Sequence, residues 1–192
     1  MTDATAPEAI ADVSEAMSRV RDGEIDRLSE LFERHHRRLY NFFLRLVGNR
    51  AAAEDLVQEV FVRMLKYRKS FRPGAKFAPW MFALARNAAA DHWRSRPREL
   101  AENPDAPEPA APFEHPLAGL EADEQRARLH AALARLPEEK RELLLLARSG
   151  TIRYDGIGEL LGCSTGAVKV RVHRAMKELR EAYRLVSEGG TA

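Results

Sequence analysis

The sequence predicts an all-α protein made of two small helical domains joined by a proline-rich linker. Apolar residues recur at the period of amphipathic helices through most of the 192-residue chain, and no segment alternates with the period of a strand. Six of the ten prolines lie between Pro97 and Pro116, among alanine and acidic residues. Because proline lacks an amide donor and fixes its own backbone, we expect an extended linker there rather than a helix or a central strand.

Three helices are predicted in the first domain, which we place at residues 25–96. The first helix runs from Glu24 to about Val47, and the second runs from Ala51 to Tyr67 with an apolar stripe on one face. Arg72-Pro73-Gly74 predicts a turn. A third helix begins near Pro79, a residue suited to a first helical turn, and ends near Arg96.

The second domain is placed at residues 122–186 and is followed by a tail at 187–192. Its first helix ends at Pro137, where the proline and two following glutamates favour the start of another helix. Ser149-Gly150 ends that second helix. Two shorter helical segments follow and are separated by Gly162-Cys163-Ser164.

Charge is distributed unevenly along the chain. Residues 1–24, which we interpret as an acidic N-terminal extension, carry 2 basic and 6 acidic side chains. The first domain carries 15 basic and 7 acidic, the linker at 97–121 carries 1 and 6, and the second domain carries 13 and 9. Basic blocks suggest polyanion partners, because lysine and arginine gain affinity by releasing the counterions of phosphates. Two ordinary solvated helical surfaces would have the same charges, so charge alone leaves both interpretations open.

Composition argues against several classes of protein. The longest apolar run, Leu143–Ala147, is far shorter than the roughly 20 residues that span a bilayer, so no membrane insertion is expected. No signal peptide is visible, and the single cysteine, Cys163, fits a reducing cytoplasm. The six histidines are scattered and no phosphate loop or nucleophile motif occurs, so we expect no enzyme activity, no cofactor and no metal site.

The end of the second domain predicts a helix-turn-helix. Tyr154–Leu161 forms its first helix, Gly162-Cys163 forms the turn, and Ser164 is a good N-cap for the last helix. That last helix has a buried stripe and an opposite polar, cationic face, which fits the major groove of DNA. The candidate DNA contacts are Ser164, Thr165, Lys169, Arg171, His173 and Arg174. A helical hairpin with a solvated basic face is the alternative interpretation.

Two groups of segments resemble the sigma-70 family of RNA polymerase factors. Asp55–Phe61, Phe77–Asn87 and Asp91–Arg94 are similar to region 2 of that family, and Leu136–Glu139 with Gly166–Ala175 resembles region 4. Their order, with only a short linker between them, resembles the extracytoplasmic-function (ECF) group. The resemblance implies an alternative sigma factor that binds RNA polymerase core and directs transcription initiation through −10 and −35 recognition.

The resemblance also implies partners and site residues. The β′ clamp helices of core polymerase are expected to bind Asp55, Gln58, Glu59 and Phe61. Contacts with −10 DNA are expected from Lys76, Arg86, Asn87, Arg94 and Arg96. Asn87 and the loop Ser70–Phe77 are candidates for the pocket of a flipped base. The helix-turn-helix residues would contact −35 DNA, and the β flap and an anti-sigma factor are further implied partners.

The chain departs from the family pattern in two places. Gly156-Ile157-Gly158 stands where Glu-Ile-Ala is common, and the two glycines predict a loosely held supporting helix. Val170 stands where the family is usually polar, and it is expected to point outward. Trp80 lies on an apolar stripe, so we expect it in the core rather than as a stacking platform. The alternative function is a free-standing helix-turn-helix regulator, which would not need the Asp55–Phe61 motif.

Overall fold

The structure is a computed structural model that describes residues 6–102 and 120–189, with side chains for residues 13–95, 124–125 and 127–188. The described residues form eight α-helices: α1 (Ala6–Asp22), α2 (Leu28–Val47), α3 (Arg50–Lys66), α4 (Phe77–Glu102), α5 (Leu120–Ala134), α6 (Glu138–Arg148), α7 (Tyr154–Leu161) and α8 (Thr165–Gly189). Short 3-10 turns at Ile25–Arg27 and Arg68–Ser70 complete the regular structure of these residues. The all-α prediction is therefore confirmed.

The chain divides into two compact units. The first contains α1 to α4 without residues 44–50, and the second contains residues 44–50 with α5 to α8. Most of the predicted linker, residues 103–119, lies outside the described residues. Two helical units are thus present, as the hydrophobic periodicity predicts.

Helix α1 is not the separate acidic extension that its charge suggested. Ala16, Met17 and Val20 are buried, and the helix contacts α4 and the turn at Arg68–Ser70. The Oγ of Ser14 accepts a hydrogen bond from the backbone N–H of Phe77 at 3.3 Å, at the first residue of α4. Because the first N–H groups of a helix have no intrahelical partner, this bond satisfies a donor that α4 cannot satisfy itself. Residues 6–22 therefore belong to the first unit.

Helix α4 is longer than expected and corrects the boundary of the linker. It continues through Pro97 to Glu102, whereas the proline-rich composition predicted no helix after Arg96. A proline inside a helix removes a single amide donor, and the residues that follow here (Arg98, Glu99, Leu100 and Ala101) all favour helix. The proline-rich composition therefore does not stop the helix at its first proline.

The core of the first unit lies between α2, α3 and α4, with α1 added to it. The largest fully buried side chains include Phe43 of α2, Met64 of α3 and Phe82 of α4. Phe42 makes edge contacts with both Phe43 and Phe82, at ring-centroid distances of 5.3 Å. These contacts place the predicted stripes of the three helices against one another.

The core of the second unit is built from all four of its helices. Leu146, Ile157 and Val168 are fully buried. Arg141 closes the end of α5, because its guanidinium donates to the carbonyl oxygens of Leu133, Ala134 and Leu136 at 3.0 to 3.2 Å. Leu133 and Ala134 are the last residues of α5, and a cation is favourable at the C-terminal carbonyls of a helix. Leu129 of α5 is exposed.

Candidate nucleic-acid interface

The turn between α7 and α8 has the geometry that its sequence predicts. Gly162 adopts the left-handed conformation, with φ of 64° and ψ of 36°. This conformation is costly for residues with a Cβ and ends α7 sharply. The Oγ of Ser164 accepts a hydrogen bond from the backbone N–H of Ala167 at 3.2 Å, which is an N-cap on α8. The turn therefore fixes where α8 begins.

The glycines of α7 do not loosen the supporting helix. Gly156, Ile157 and Gly158 are all buried. The carbonyl oxygen of Gly158 accepts the N–H of Cys163 at 2.9 Å, and a Cβ on Gly158 would lie 2.6 Å from the carbonyl oxygen of Cys163. The small residue thus permits a close approach of α7 to the turn. The lower helix propensity of glycine is therefore accompanied here by close backbone packing at Gly158.

Helix α8 presents a cationic face to solvent. Val168, Val172 and Ala175 are buried, whereas all six residues predicted to contact −35 DNA are exposed. Residues 165–177 contain no acidic side chain. Lys169, Arg171 and Arg174 form no ion pair with another described residue. The face is therefore free to bind an anion, and Val170 interrupts it with an exposed apolar side chain.

Helix α3 carries the residues predicted to bind polymerase, and the structure separates them. Asp55 and Gln58 are exposed on its outer face. Glu59 is half-buried and accepts from Nε of Arg63 at 2.5 Å, and Nη2 of Arg63 lies 2.8 Å from Oδ2 of Asp91 on α4. The hydrogen bond from Arg63 is the main cause that holds the pKa of Asp91 below its usual value. Glu59 is thus part of an α3–α4 linkage as well as of the outer face.

Phe61 is not available as a contact residue. It is only 7% exposed and packs in the core, with its ring 5.0 Å from that of Phe32. The residues that are exposed near the acidic edge are Phe32 of α2 and Val62 of α3, the latter 59% exposed. Val62 follows Asp55 by seven residues, a spacing that places it on the same face of a helix, so the sequence contained this signal. Phe32 also stacks on His36, with ring centroids 4.8 Å apart.

The residues predicted to contact −10 DNA are spread along the first unit. Lys76, Asn87 and Arg94 are exposed and Arg86 is half-buried, while the side chain of Arg96 lies outside the described residues. Arg94 pairs with Asp91 one turn before it. Asn87 and Arg94 follow Trp80 at multiples of seven residues and so share its face of α4, along about 20 Å of helix. They form an elongated track rather than a single pocket with the loop.

Trp80 lies at the edge of the core rather than inside it. Its ring meets Phe71 edge-on at 5.3 Å and is tilted against Phe77 at 6.3 Å, and it remains half-exposed. Its Nε1–H donates to the Oγ of Ser70 at 3.2 Å. Because the polar edge of the indole faces the loop at Ser70–Phe77, Trp80 joins this loop to α4. The expectation of a core position is therefore only partly met.

His35 is a buried polar residue beneath the same loop. It is 6% exposed, its ring lies 5.0 Å from that of Phe77, and neither ring nitrogen has a hydrogen-bond partner among the described residues. Burial, with a smaller effect of the nearby charges of Arg38 and Arg34, lowers its pKa from 6.5 to about 4. The imidazole is therefore neutral at pH 7. Helical spacing distinguishes it from the adjacent His36, because His35 lies four residues after Leu31 and four before Leu39, which are both buried.

The described residues hold no cluster of histidine, cysteine and carboxylate side chains suited to a metal ion. In the same part of the chain, no helix is long and apolar enough to cross a bilayer. The exposed, chemically distinctive surfaces are thus the cationic face of α8, the track on α4 and the outer face of α3.

Known families and proteins match both units. The Sigma-70 region 2 family matches residues 31–99, and the Sigma-70, region 4 family matches residues 126–179. The RNA polymerase sigma factor CarQ of Myxococcus xanthus is 36% identical over 168 residues, which are 86% of this chain and 94% of CarQ. The ECF RNA polymerase sigma factor EcfG of Rhodopseudomonas palustris is 36% identical over 140 residues, which are 72% of this chain and 75% of EcfG.

Solved structures share the fold. The sigma factor RpoE of Bartonella quintana, in complex with the anti-sigma factor NepR, has a TM-score of 0.65 at 24% identity and covers 81% of this chain and 96% of its own. CnrH, in complex with the cytosolic domain of CnrY, has a TM-score of 0.66 at 22% identity and covers 88% and 94%. The two family matches, in order, and the two relatives at 36% identity show that this chain belongs to the ECF group of the sigma-70 family of RNA polymerase sigma factors.

Proposed function

We propose that this chain is the promoter-specificity subunit of RNA polymerase, with each unit recognising a different form of DNA. The second unit binds duplex −35 DNA through α8, and the first unit binds the separated −10 strand along α4. The observation that carries the proposal is the cationic face of α8, which follows the turn capped by Ser164. Its Lys169, Arg171 and Arg174 form no ion pair within the part of the chain that the structure describes. Membership of the sigma family supports the same division of roles.

Binding to −35 DNA would use the first turns of α8. In a helix-turn-helix, the N-terminal residues of the second helix lie nearest the base edges, and flanking cations contact phosphates. Ser164 and Thr165 stand at the start of α8, and Lys169, Arg171, His173 and Arg174 follow within three turns. Because Lys169, Arg171 and Arg174 form no ion pair within the described residues, they can bind phosphates without breaking one. This favours strong, salt-dependent binding to duplex DNA.

Binding to the −10 strand would use the track on α4. A single strand is held by aromatic stacking and by cations along its backbone. The exposed part of Trp80 offers a surface for stacking. The cations would be Lys76, Arg86, Arg94 and Arg96. Asn87, exposed about 10 Å beyond Trp80 along the helix, can hydrogen-bond a base edge. Strand separation would draw on the binding energy of these captured bases, so the chain needs no catalytic group.

Docking on core polymerase would use the outer face of α3. Asp55 and Gln58 are exposed, and Glu59 adds a carboxylate at the edge of the same face. Acidic residues there complement the basic clamp helices of β′ that the family resemblance implies. Val62 and Phe32 add exposed apolar area next to the charges, which an interface would bury. In this proposal Phe61 supports the surface from below.

An anti-sigma factor is a further proposed partner. The RpoE and CnrH structures were each solved with a second protein, in the first case an anti-sigma factor. We propose that this chain is held inactive in the cytoplasm by a protein of that class. The β flap is the proposed polymerase contact of the second unit.

A charge reversal on α3 tests the docking surface. Asp55→Lys should lower the affinity for purified core polymerase by about tenfold, because it reverses a charge at the centre of the proposed interface. Glu54→Lys makes the same charge change at an exposed neighbouring position that points about 100° away around the helix. Equal losses in both variants would contradict the proposed surface.

Promoter-directed transcription tests the whole function. Core polymerase with the wild-type chain should start transcription at discrete sites in a randomised promoter library, and core polymerase alone should not. If the chain binds duplex DNA without ever associating with core polymerase, it is the free-standing helix-turn-helix regulator instead. That result would refute the sigma-factor assignment of the outer face of α3 and of the α4 track together.

A further inference from the structure

Val170 is an apolar side chain at the centre of the polar face of α8. It is 50% exposed, whereas Val168 and Val172 on either side of it in sequence are buried. Successive residues of a helix are about 100° apart, so Val170 points about 200° away from Val168 and directly away from the core. The exposure is therefore a consequence of its helical position, and packing within the unit does not require a valine there.

Val170 lies between two cations on the outer face of α8. Lys169 and Arg171 point about 100° to either side of it, where they can reach the two sugar–phosphate backbones that border a groove. Gly166 lies one turn before Val170 and Arg174 one turn after, on the same outward line. A Cβ on Gly166 would have only the Oγ of Ser164 nearby, at 3.9 Å. The absent side chain lets this part of α8 approach a surface closely, so that a short valine can reach it.

We propose that Val170 recognises the C5-methyl group of a thymine in the −35 element. The inference rests on the proposed docking of α8 in the major groove. The edges of base pairs in that groove carry hydrogen-bond donors and acceptors, and the thymine methyl is their one apolar group. Valine cannot hydrogen-bond, so contact with any other base edge would leave that edge's polar group without water or partner. A methyl on the C5 of cytosine would offer the same contact.

The test removes the methyl group from the DNA and the side chain from the protein. The DNA is the promoter that the holoenzyme selects from a randomised library, with each −35 thymine in turn replaced by deoxyuridine. For wild-type holoenzyme, deoxyuridine at one position should weaken binding about threefold to fivefold, the effect expected for one buried methyl group. For Val170→Ala holoenzyme, the same replacement should have no effect. The double change should thus cost no more than the valine change alone.

Two further arms separate the methyl contact from other causes. Val170→Thr keeps the shape of valine but replaces one methyl with a hydroxyl, and it should reduce the discrimination between thymine and deoxyuridine. With a cytosine at the identified position, C5-methylation should strengthen wild-type binding and leave Val170→Ala binding unchanged. Because Val170 is outside the core, melting temperatures of the variants should match the wild type.

Several outcomes would overturn the inference. One is that the selected −35 element contains no thymine on either strand. A second is that deoxyuridine weakens binding equally for the wild type and for Val170→Ala. A third is a Val170→Ala variant that binds DNA normally but binds core polymerase or another protein less well, which would make Val170 a protein contact. Arg174→Ala separates this failure from failure of the proposed function. If it weakens duplex binding, α8 docks on DNA and only the role of Val170 is wrong; if it does not, the docking itself is wrong.

Discussion

His35 should make the stability of the first unit depend on pH. Its pKa is about 4 in the folded protein, against an ordinary value of 6.5, because burial disfavours the charged imidazolium. The unfolded chain therefore binds more protons than the folded chain between these values. Stability from this source is present in full above pH 6.5 and is lost as the pH falls towards 4. The shift corresponds to about 3 kcal/mol of unfolding free energy.

The assay is urea unfolding followed by tryptophan fluorescence. Both tryptophans, Trp80 and Trp93, lie on α4, so the signal reports on the first unit. Between pH 7.5 and pH 4, the wild type should lose about 3 kcal/mol more unfolding free energy than His35→Leu. At pH 7.5, His35→Leu should be more stable than the wild type by about 1 kcal/mol, because it removes two buried nitrogens without partners.

The neighbouring histidine provides the control. His36 is only half-buried, stacks on Phe32 and has its Nδ1 2.8 Å from the carbonyl oxygen of Phe32. His36→Leu therefore controls for the loss of an imidazole from α2 at a site that is not buried in the core. If the unfolding free energies of the wild type and His35→Leu fall in parallel from pH 7.5 to pH 4, the imidazole of His35 is not the cause and the reasoning from burial fails.

Three other predictions concern the second unit and the contacts with DNA. Gly158→Val should destabilise the second unit by at least about 2 kcal/mol, because the valine side chain would meet the backbone of the turn. Gly166→Ala, at an open helical site, should stabilise the same unit slightly. Calorimetric melting measures both changes in stability. Arg141→Met should cost about 2 kcal/mol of the same unfolding free energy, because the carbonyl groups of Ala134 and Leu136 lose the guanidinium donor, while that of Leu133 keeps the N–H of Leu136. Arg174→Ala should flatten the dependence of log affinity for duplex promoter DNA on log salt by about one unit. A salt slope equal to that of the wild type would remove Arg174 from the DNA interface.

The helices of both units could be predicted from hydrophobic spacing, except α1, whose acidic composition predicted an extension outside the first domain. Its buried residues Ala16, Met17 and Val20 already have helical spacing. The first 24 residues contain six acidic side chains, and this composition favoured an acidic extension over a helix with a short buried stripe. The end of α4 was missed for a related reason. Proline lowers helix propensity at one position, and five favourable residues after Pro97 restore it.

The sequence could predict which helix faces are exposed at the candidate site, but it could not predict the contacts of individual side chains. The cationic residues of α8 are exposed because the positions of the buried valines determine the opposite face. Phe61 was wrongly predicted to contact polymerase, because it belongs to a motif whose residues point to both the buried and the exposed side of α3. The close approach at Gly158 depends on a distance across the turn, to Cys163, which no local pattern encodes. His35 lies on the buried row of α2 between Leu31 and Leu39, so helical spacing could have placed it in the core.

The two proposed DNA-binding surfaces differ in the partners of their cations. On α8, Lys169, Arg171 and Arg174 are free of ion pairs within the described chain. On the first unit, Arg94 pairs with Asp91, and Lys76 and Arg86 also have interactions within the chain. Free cations attract a duplex over about a Debye length at no internal cost, whereas paired cations must exchange a carboxylate for a phosphate. The −35 face is thus suited to initial capture of duplex DNA, and the −10 track is suited to binding that begins once a separated strand lies against it.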